Sequence, residues 1–359
     1  MLDTRNDRTE PDALYPEGAV TVAVVGLGYW GPNLLRVLFE MEHVRVKAIC
    51  DLDADRLARF ARRYPSVGAT RSYEEVLRDP EIEGVVIATP VYSHYDLAAR
   101  ALQAGKHVFV EKPLAPTSGE AESLIDLADE SSLALMCGHT FIYSPPVREV
   151  KRLIDSGDLG DIYFISSSRV NLGLHQRDVS VIWDLGPHDF SILMYWLGER
   201  PDTVSATGRD SVVRGITDVA FVNLAFPSGI IAQIELSWLA PSKLRRTVVV
   251  GSKKMVVYDD SAGEPVRVFD HGVIYEDPET FGEYHLSYRT GDIVSPKLDA
   301  AEPIGLEMQD FVTSIRNGTA PEGHTQLARD VVRVVENAET SLANGGQAAS
   351  MRRFQPAYG

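Results

Sequence analysis

The chain has only two cysteines, Cys50 and Cys137. Both lie in apolar, strand-like text. That excludes a disulfide framework and reads as two buried free thiols in a reducing cytoplasm. No stretch approaches the ~20 consecutive apolar residues of a bilayer span, so no membrane partner is expected. The opening segment from Met1 to Gly18 also lacks an apolar run, which removes a signal peptide and leaves a disordered leader as the expectation. Positive charge is in deficit: 35 Lys and Arg against 51 Asp and Glu leave a formal charge of −16. A general nucleic-acid binder needs a positive face for phosphates, so that class is set aside. Lys112 or Arg169 can still hold a small anion locally. Repeats and low-complexity tracts are absent as well. What remains is a soluble globular composition, 44% apolar and 24% charged over 359 residues, with a length that suits two domains.

Up to about residue 139, short β-branched runs alternate with amphipathic segments of helical length, the pattern of a parallel α/β sheet. Strands are expected at Thr21–Val25, Val44–Cys50, Val85–Ala88, His107–Val110 and Leu133–Cys137. Helices are expected at Asn33–Met41, Asp53–Arg63 with Asp53 as N-cap, His94–Ala104 closed by Gly105, and Ser118–Ser131. Beyond Gly138 the texture changes. After a helix at Pro146–Ser156 come strand-like runs at Asp161–Val170, Val204–Gly208, Asp218–Phe226, Gly229–Trp238, Arg246–Val250 and Lys254–Tyr258. Short turns such as Pro227-Ser228-Gly229 separate some of them and imply an antiparallel sheet. The stretch from about Ser261 to Glu302 is polar and shows little periodicity. Helices near Ile304–Arg316 and Gln326–Ala343 follow. The expected plan is a leader at 1–18, a doubly wound Rossmann domain at 19–139, an open, mainly antiparallel α+β domain at 140–345, and a tail at 346–359.

Gly26-Leu27-Gly28-Tyr29-Trp30-Gly31 follows a strand and opens a helix, and Asp51 ends the next strand about 20 residues later, the dinucleotide fingerprint. Gly26 permits the tight turn, Gly28 lets main-chain N–H groups approach a pyrophosphate, and Gly31 lets the helix pack close to the strand. The helix N-terminus offers unpaired donors to the phosphates. Asp51 is placed to accept from the adenosine ribose hydroxyls and to repel a 2′-phosphate, which favours NAD over NADP. Thr89 and Pro90 end a strand at the carboxyl edge where open α/β sheets hold ligands. Tyr29, Trp30, His94 and Glu111 complete the cofactor-side candidates.

Lys112, in Glu111-Lys112-Pro113, sits at the same edge. Its ammonium can hydrogen-bond a substrate hydroxyl and stabilise the alkoxide character that grows as hydride leaves. In Trp183-Asp184-Leu185-Gly186-Pro187-His188-Asp189, a helical turn starting at Asp184 puts Asp184 and His188 on one face. A carboxylate beside an imidazole orients the ring and raises its basicity, as a general base needs near neutral pH. No third ligand at convincing spacing is visible, so no metal is expected. The bland alternatives are Asp184 as a helix N-cap and His188 as a satisfied buried histidine.

These three motifs, in this order and spacing, resemble the Gfo/Idh/MocA oxidoreductases over about Val20 to Gly345. The resemblance implies a Rossmann domain followed by an open sheet that often mediates oligomerisation, here a homodimer or homotetramer. It makes Lys112 the lysine of the family's E-K-P motif and Asp184 and His188 its aspartate–histidine pair. Gly138-His139-Thr140-Phe141-Ile142-Tyr143-Ser144-Pro145, Arg169-Val170-Asn171-Leu172-Gly173 and Tyr288-Arg289-Thr290-Gly291-Asp292-Ile293 look like the branch containing sugar-nucleotide 3-dehydrogenases. On that basis Tyr143, Arg169, Asn171 and Tyr288 join Lys112, Asp184 and His188 as substrate-side candidates. The implied activity is hydride transfer between NAD and a ring hydroxyl or keto carbon, C3, of a sugar or sugar nucleotide. An inositol or free-sugar dehydrogenase and a non-catalytic NAD(H)-sensing regulator are the rivals.

Overall fold

A computed structural model of the chain describes residues 16, 18–173, 179–276, 285–319 and 324–351. Apart from 16, 18 and 346–351, the leader and tail expected from the sequence lie outside these residues. Two compact units emerge. The first holds described residues up to 116, then 122–138 and 304–325; the second holds 117–121, 139–303 and 326 onward.

In the first unit, strands and helices alternate. They are β1 (Val20–Val25), α1 (Gly31–Glu40), β2 (Val44–Cys50), α2 (Ala54–Arg63), β3 (Gly68–Thr70), α3 (Tyr73–Arg78), β4 (Gly84–Ile87), α4 (His94–Gln103), β5 (His107–Glu111), most of α5 (Ser118–Ser131) and β6 (Leu135–Gly138). The sheet runs β3-β2-β1-β4-β5-β6, with every pair parallel. Every residue of β1 and β4 is buried. Strands covered on both faces read as unbroken apolar runs, which is why the sequence shows them so clearly. Asp53 caps α2, its carboxylate accepting from the Asp55 and Arg56 N–H groups. The strand order reverses between β1 and β4, and in such sheets the ligand crevice opens at the carboxyl ends beside that reversal.

The second unit comprises α6 (Pro145–Asp155), β7 (Ile162–Leu172), α7 (Val181–Leu197), β8 (Thr203–Arg209), β9 (Val219–Ala225), β10 (Ile231–Ser237), β11 (Leu239–Gly251), β12 (Met255–Asp259), β13 (Val266–Glu276) and β14 (His285–Val294). After these, α8 (Pro303–Asn317) belongs to the first unit, while most of α9 (His324–Ala343) and β15 (Ala349–Ser350) belong to the second. The nine strands lie in the order β14-β13-β12-β11-β7-β10-β9-β8-β15. All neighbours are antiparallel except β7 and β10. Val147 and Val150 of α6, Phe190 and Trp196 of α7, and Val331 and Val335 of α9 share one core with Ile165, Ile234 and Val249 of the sheet. Burial alternates along β9 and β10, as it must where only one face of a sheet is covered. Among the described residues, no helix is long and apolar enough to cross a membrane. Both cysteines are buried and free.

Three features depart from the sequence reading. The polar stretch after Ser261 contains β13 and β14, paired from Val268↔Val294 to Glu276↔His285. Val273, Tyr288, Ile293 and Val294 there are all exposed. Only the start of β13 reaches the core, through Val266 with Val268 packed against it, so the rest of β13 and β14 are held mainly by their ladder and carry no continuous core face in the sequence. Instead of a turn beginning at Asp184, α7 is a 17-residue helix capped by Ser180, whose hydroxyl accepts from the Ile182 and Trp183 N–H groups. Asp184 is thus not the N-cap. The helix carries Gly186 and Pro187 inside it because it is buried nearly all round, and packing outweighs the propensity cost. Finally, α8 packs into the first unit, with Phe311 edge-on to Phe109 at 5.8 Å, rather than into the domain read at 140–345. An apolar stripe shows that a helix is buried, not which core receives it.

Candidate active site

In the first unit the glycine loop leaves β1 at its carboxyl end. Gly26 has φ of +90°, a left-handed conformation that favours glycine. A Cβ on Gly31 would collide with the Gly26 carbonyl oxygen, so the start of α1 can lie against β1 only without one. Nothing lies within 4 Å of a Cβ built on Gly28, and no side chain caps the start of α1. Open space in front of an uncapped helix start fits the pyrophosphate of a dinucleotide. Tyr29 and Trp30 extend outward from this loop, 85% and 39% exposed. Asp51 follows β2 and reaches back to the loop, its Oδ2 accepting from the Leu27 N–H at 2.7 Å.

Thr89 and Pro90 follow β4, and Glu111, Lys112 and Pro113 end and follow β5, so both loops stand at the same edge of the sheet. The Lys112–Pro113 peptide is cis. His94 ties the two loops together: Nδ1 lies 2.8 Å from the Pro113 carbonyl and Nε2 2.8 Å from the Thr89 carbonyl. Its ring is 1% exposed, and burial holds its pKa below the ordinary imidazole value. Both ring nitrogens face main-chain carbonyls of the two loops, and the neutral ring donates to one of them.

Glu111 is buried, with Oε2 accepting the Lys112 N–H at 3.2 Å. Gly138 leaves room for it, since a Cβ there would come within 3.1 Å of Glu111 Oε2. Burial pushes the Glu111 carboxyl up to about 7, against the opposing charge of Lys112. The native state then holds a proton that the unfolded chain releases near 4.5, so stability is highest below that pH and falls as pH rises toward 7. The window is worth about 3 kcal/mol at most. Glu111→Gln is expected to flatten this slope in urea unfolding between about pH 5 and about pH 8. A wild-type slope equal to that of the variant would place the carboxyl's titration elsewhere.

In the second unit, Asp184 and His188 stand one turn apart on α7. The Trp238 indole N–H donates to Asp184 Oδ2 at 2.9 Å. The His188 ring packs edge-on to Phe141, with centroids 5.0 Å apart. Phe141 in turn lies against the Arg169 and Arg245 guanidinium groups at 4.7 and 5.6 Å. Arg169 is 3% exposed and forms an ion pair with Asp189, the residue after His188. Ser167 also donates to Asp189, at 2.7 Å.

Two family models match the chain. One, described as an oxidoreductase family with an NAD-binding Rossmann fold, covers residues 20–139. The other, a GFO/IDH/MocA C-terminal domain, covers residues 147–257. The chain belongs to the Gfo/Idh/MocA oxidoreductase family. It is 26% identical over 322 residues to the scyllo-inositol 2-dehydrogenase (NAD(+)) of Bacillus subtilis (strain 168), covering 85% of this chain and 89% of that protein. The crystal structure of GenD2 from gentamicin A biosynthesis in complex with NAD superposes with a TM-score of 0.79 at 25% identity, over 94% of this chain and 99% of that one. UDP-N-acetylglucosamine 3-dehydrogenase GnnA from Acidithiobacillus ferrooxidans shares the fold, with a TM-score of 0.75 at 22% identity over 90% and 98% of the two chains.

The remaining residues expected at this Gfo/Idh/MocA site fall in different surroundings. Arg169 pairs with Asp189 through Nε and lies against Phe141, while its buried Nη1 has no hydrogen-bond partner among the described residues. Tyr143 is 3% exposed, with the Arg148 guanidinium 5.0 Å from its ring. Asn171 lies near the end of β7, and its buried Oδ1 has no hydrogen-bond partner among the described residues. Tyr288 is 81% exposed on β14, four strands from β7, and is not brought beside the others. Sequence reasoning missed Arg56, Asp189 and Trp238. An arginine on a helix or a tryptophan in a strand carries no local mark of the partner it meets, although Asp189 did stand next to His188 in the text.

Proposed function

We propose that this chain oxidises or reduces a ring hydroxyl or keto carbon, C3, of a sugar or sugar nucleotide, with NAD as the preferred cofactor. The reading rests on Asp184 and His188 one turn apart on α7, an acid/base pair for which a protein that merely senses NAD(H) has no use. The glycine loop from Gly26 to Gly31 and Asp51 hold the dinucleotide, and its nicotinamide, when bound, supplies the hydride acceptor or donor. His188 takes the hydroxyl proton. As the resemblance implies, the Lys112 ammonium stabilises the negative charge that develops as hydride leaves. Asp184, itself held by Trp238, orients the imidazole. In the reductive direction His188 returns the proton. The names of the inositol dehydrogenase and the 3-dehydrogenase support polyol-like substrates. As the resemblance implies, the chain works as a homodimer or homotetramer, and its two free thiols suit the cytoplasm.

The test is to mix the protein with NAD and, separately, UDP-N-acetylglucosamine, glucose and myo-inositol, following the absorbance of reduced nicotinamide. Reduction driven best by the sugar nucleotide is expected. Faster reduction with myo-inositol or glucose would shift the assignment to a polyol or free-sugar dehydrogenase. Tight NADH binding with no turnover on any of the three would replace the enzyme reading with a sensor.

A further inference from the structure

The formal charge of −16 opposes an anionic ligand, and the sequence reading looks to Lys112 or Arg169 to hold one locally. The structure buries the Arg169 guanidinium, its side chain 4% exposed and its Nε paired with Asp189. It also sets a second arginine directly opposite. Arg245 of β11 and Arg169 of β7 are register partners in the antiparallel ladder. Both guanidinium groups lie against Phe141, whose ring touches His188. Like charges facing each other across two strands cost stability, and local conflicts of this kind persist mainly where a functional site needs them.

Each arginine has a carboxylate of its own, but the two pairs differ. Asp189 is filled from both sides, Ser167 donating to Oδ1 and Arg169 to Oδ2, and it lies as deep as its partner. Asp260 takes Arg245 through Nη1 alone among the described residues, at 3.0 Å. A guanidinium carries five N–H donors, so Arg245 has donors to spare, and its side chain is 29% exposed. Of the two cations on Phe141, only Arg245 can therefore meet a ligand without unpacking the core. We propose that Arg245 determines specificity for a negatively charged substrate, its remaining N–H groups holding a carboxylate or phosphate oxygen of the sugar compound whose reacting carbon lies at His188. A planar fork of donors suits such an oxyanion, and a neutral polyol offers it no charge to hold. This rests on the sugar-dehydrogenase reading above and adds that the substrate is an anion.

Equilibrium binding tests the proposal without reference to turnover. UDP-N-acetylglucosamine, glucuronate and N-acetylglucosamine are titrated calorimetrically into the NAD-saturated wild type, Arg245→Gln and Asp260→Asn. The wild type is expected to bind at least one of the two anions about tenfold or more tightly than the neutral sugar. Arg245→Gln should weaken that anion by about 10- to 100-fold, the worth of a charge-assisted hydrogen bond, and leave N-acetylglucosamine unchanged. Weakening confined to glucuronate assigns the seat to a carboxylate on the ring, and weakening confined to the UDP-sugar assigns it to the diphosphate. Asp260→Asn keeps the side-chain shape and releases the guanidinium, so it should bind the same anion at least as tightly as wild type. An Arg245→Gln protein that weakens all three ligands alike, or none, overturns the inference, as does weaker anion binding in Asp260→Asn. If the wild type binds N-acetylglucosamine as tightly as the anions, the sugar reading stands and this inference alone falls. If it binds none of the three, the sugar reading itself is wrong.

Discussion

Replacing His188 with Ala is expected to slow reduction of the nicotinamide in a single turnover by about 10²- to 10⁴-fold, the usual worth of a positioned general base. The ring is held for this work from its own helix and from its neighbours. Asp184 lies one turn earlier on α7, and Phe141 packs edge-on against the imidazole at 5.0 Å. Under the proposed mechanism Lys112→Ala removes the charge that stabilises the developing alkoxide and is expected to cost about 10²- to 10³-fold. If the two groups serve the same oxygen, the double variant falls well short of the product of the single effects, as residues that act as a unit do. Each single variant should still bind ADP-ribose, which separates lost chemistry from lost cofactor. Rates near wild type in both single variants would refute the assignment.

The largest expected effect on stability lies behind that histidine. Arg169→Met leaves Asp189 as a buried charge without its cation, and Asp189 is only 3% exposed. Breaking a buried pair from one side costs about 3–5 kcal/mol. The Arg169–Phe141 contact at 4.7 Å is lost as well. The double variant Arg169→Met with Asp189→Leu removes both charges and should recover much of that loss, because the desolvation cost disappears with the pair. Urea unfolding measures both. A single variant within about 1 kcal/mol of wild type would show that water or another group reaches Asp189.

How much of this was legible in the sequence depends on what each residue's neighbours are. The boundaries of β2 and α5 fall where the sequence put them. Strands covered on both faces and helices with an apolar stripe carry their burial in their own composition. The glycine loop was legible for a similar reason: a left-handed turn at Gly26 and a close approach at Gly31 constrain the residue type directly. β13 and β14 were not legible, because exposed outer strands carry no periodic burial to be read. The length of α7 was hidden by Gly186 and Pro187, whose local meaning opposes what the buried helix does. At Arg169 and His94 the sequence was silent about protein partners: a polar residue type shows that a hydrogen bond must exist, but not that Asp189 or a main-chain carbonyl supplies one. Arg56 shows the converse, a residue with no motif of its own that meets Asp51 only in the fold.

The central claim is that a carbon-bound hydrogen of a hydroxyl-bearing ring passes to a nicotinamide on this chain, with His188 taking the hydroxyl proton. UDP-N-acetylglucosamine deuterated at C3 tests it most directly. The wild-type protein should transfer the deuterium to the nicotinamide ring of the reduced cofactor in one turnover, and His188→Ala should not do so on the same timescale. Deuterium that appears in solvent while the cofactor stays oxidised, or a His188→Ala protein that transfers the label as fast as wild type, would contradict the account.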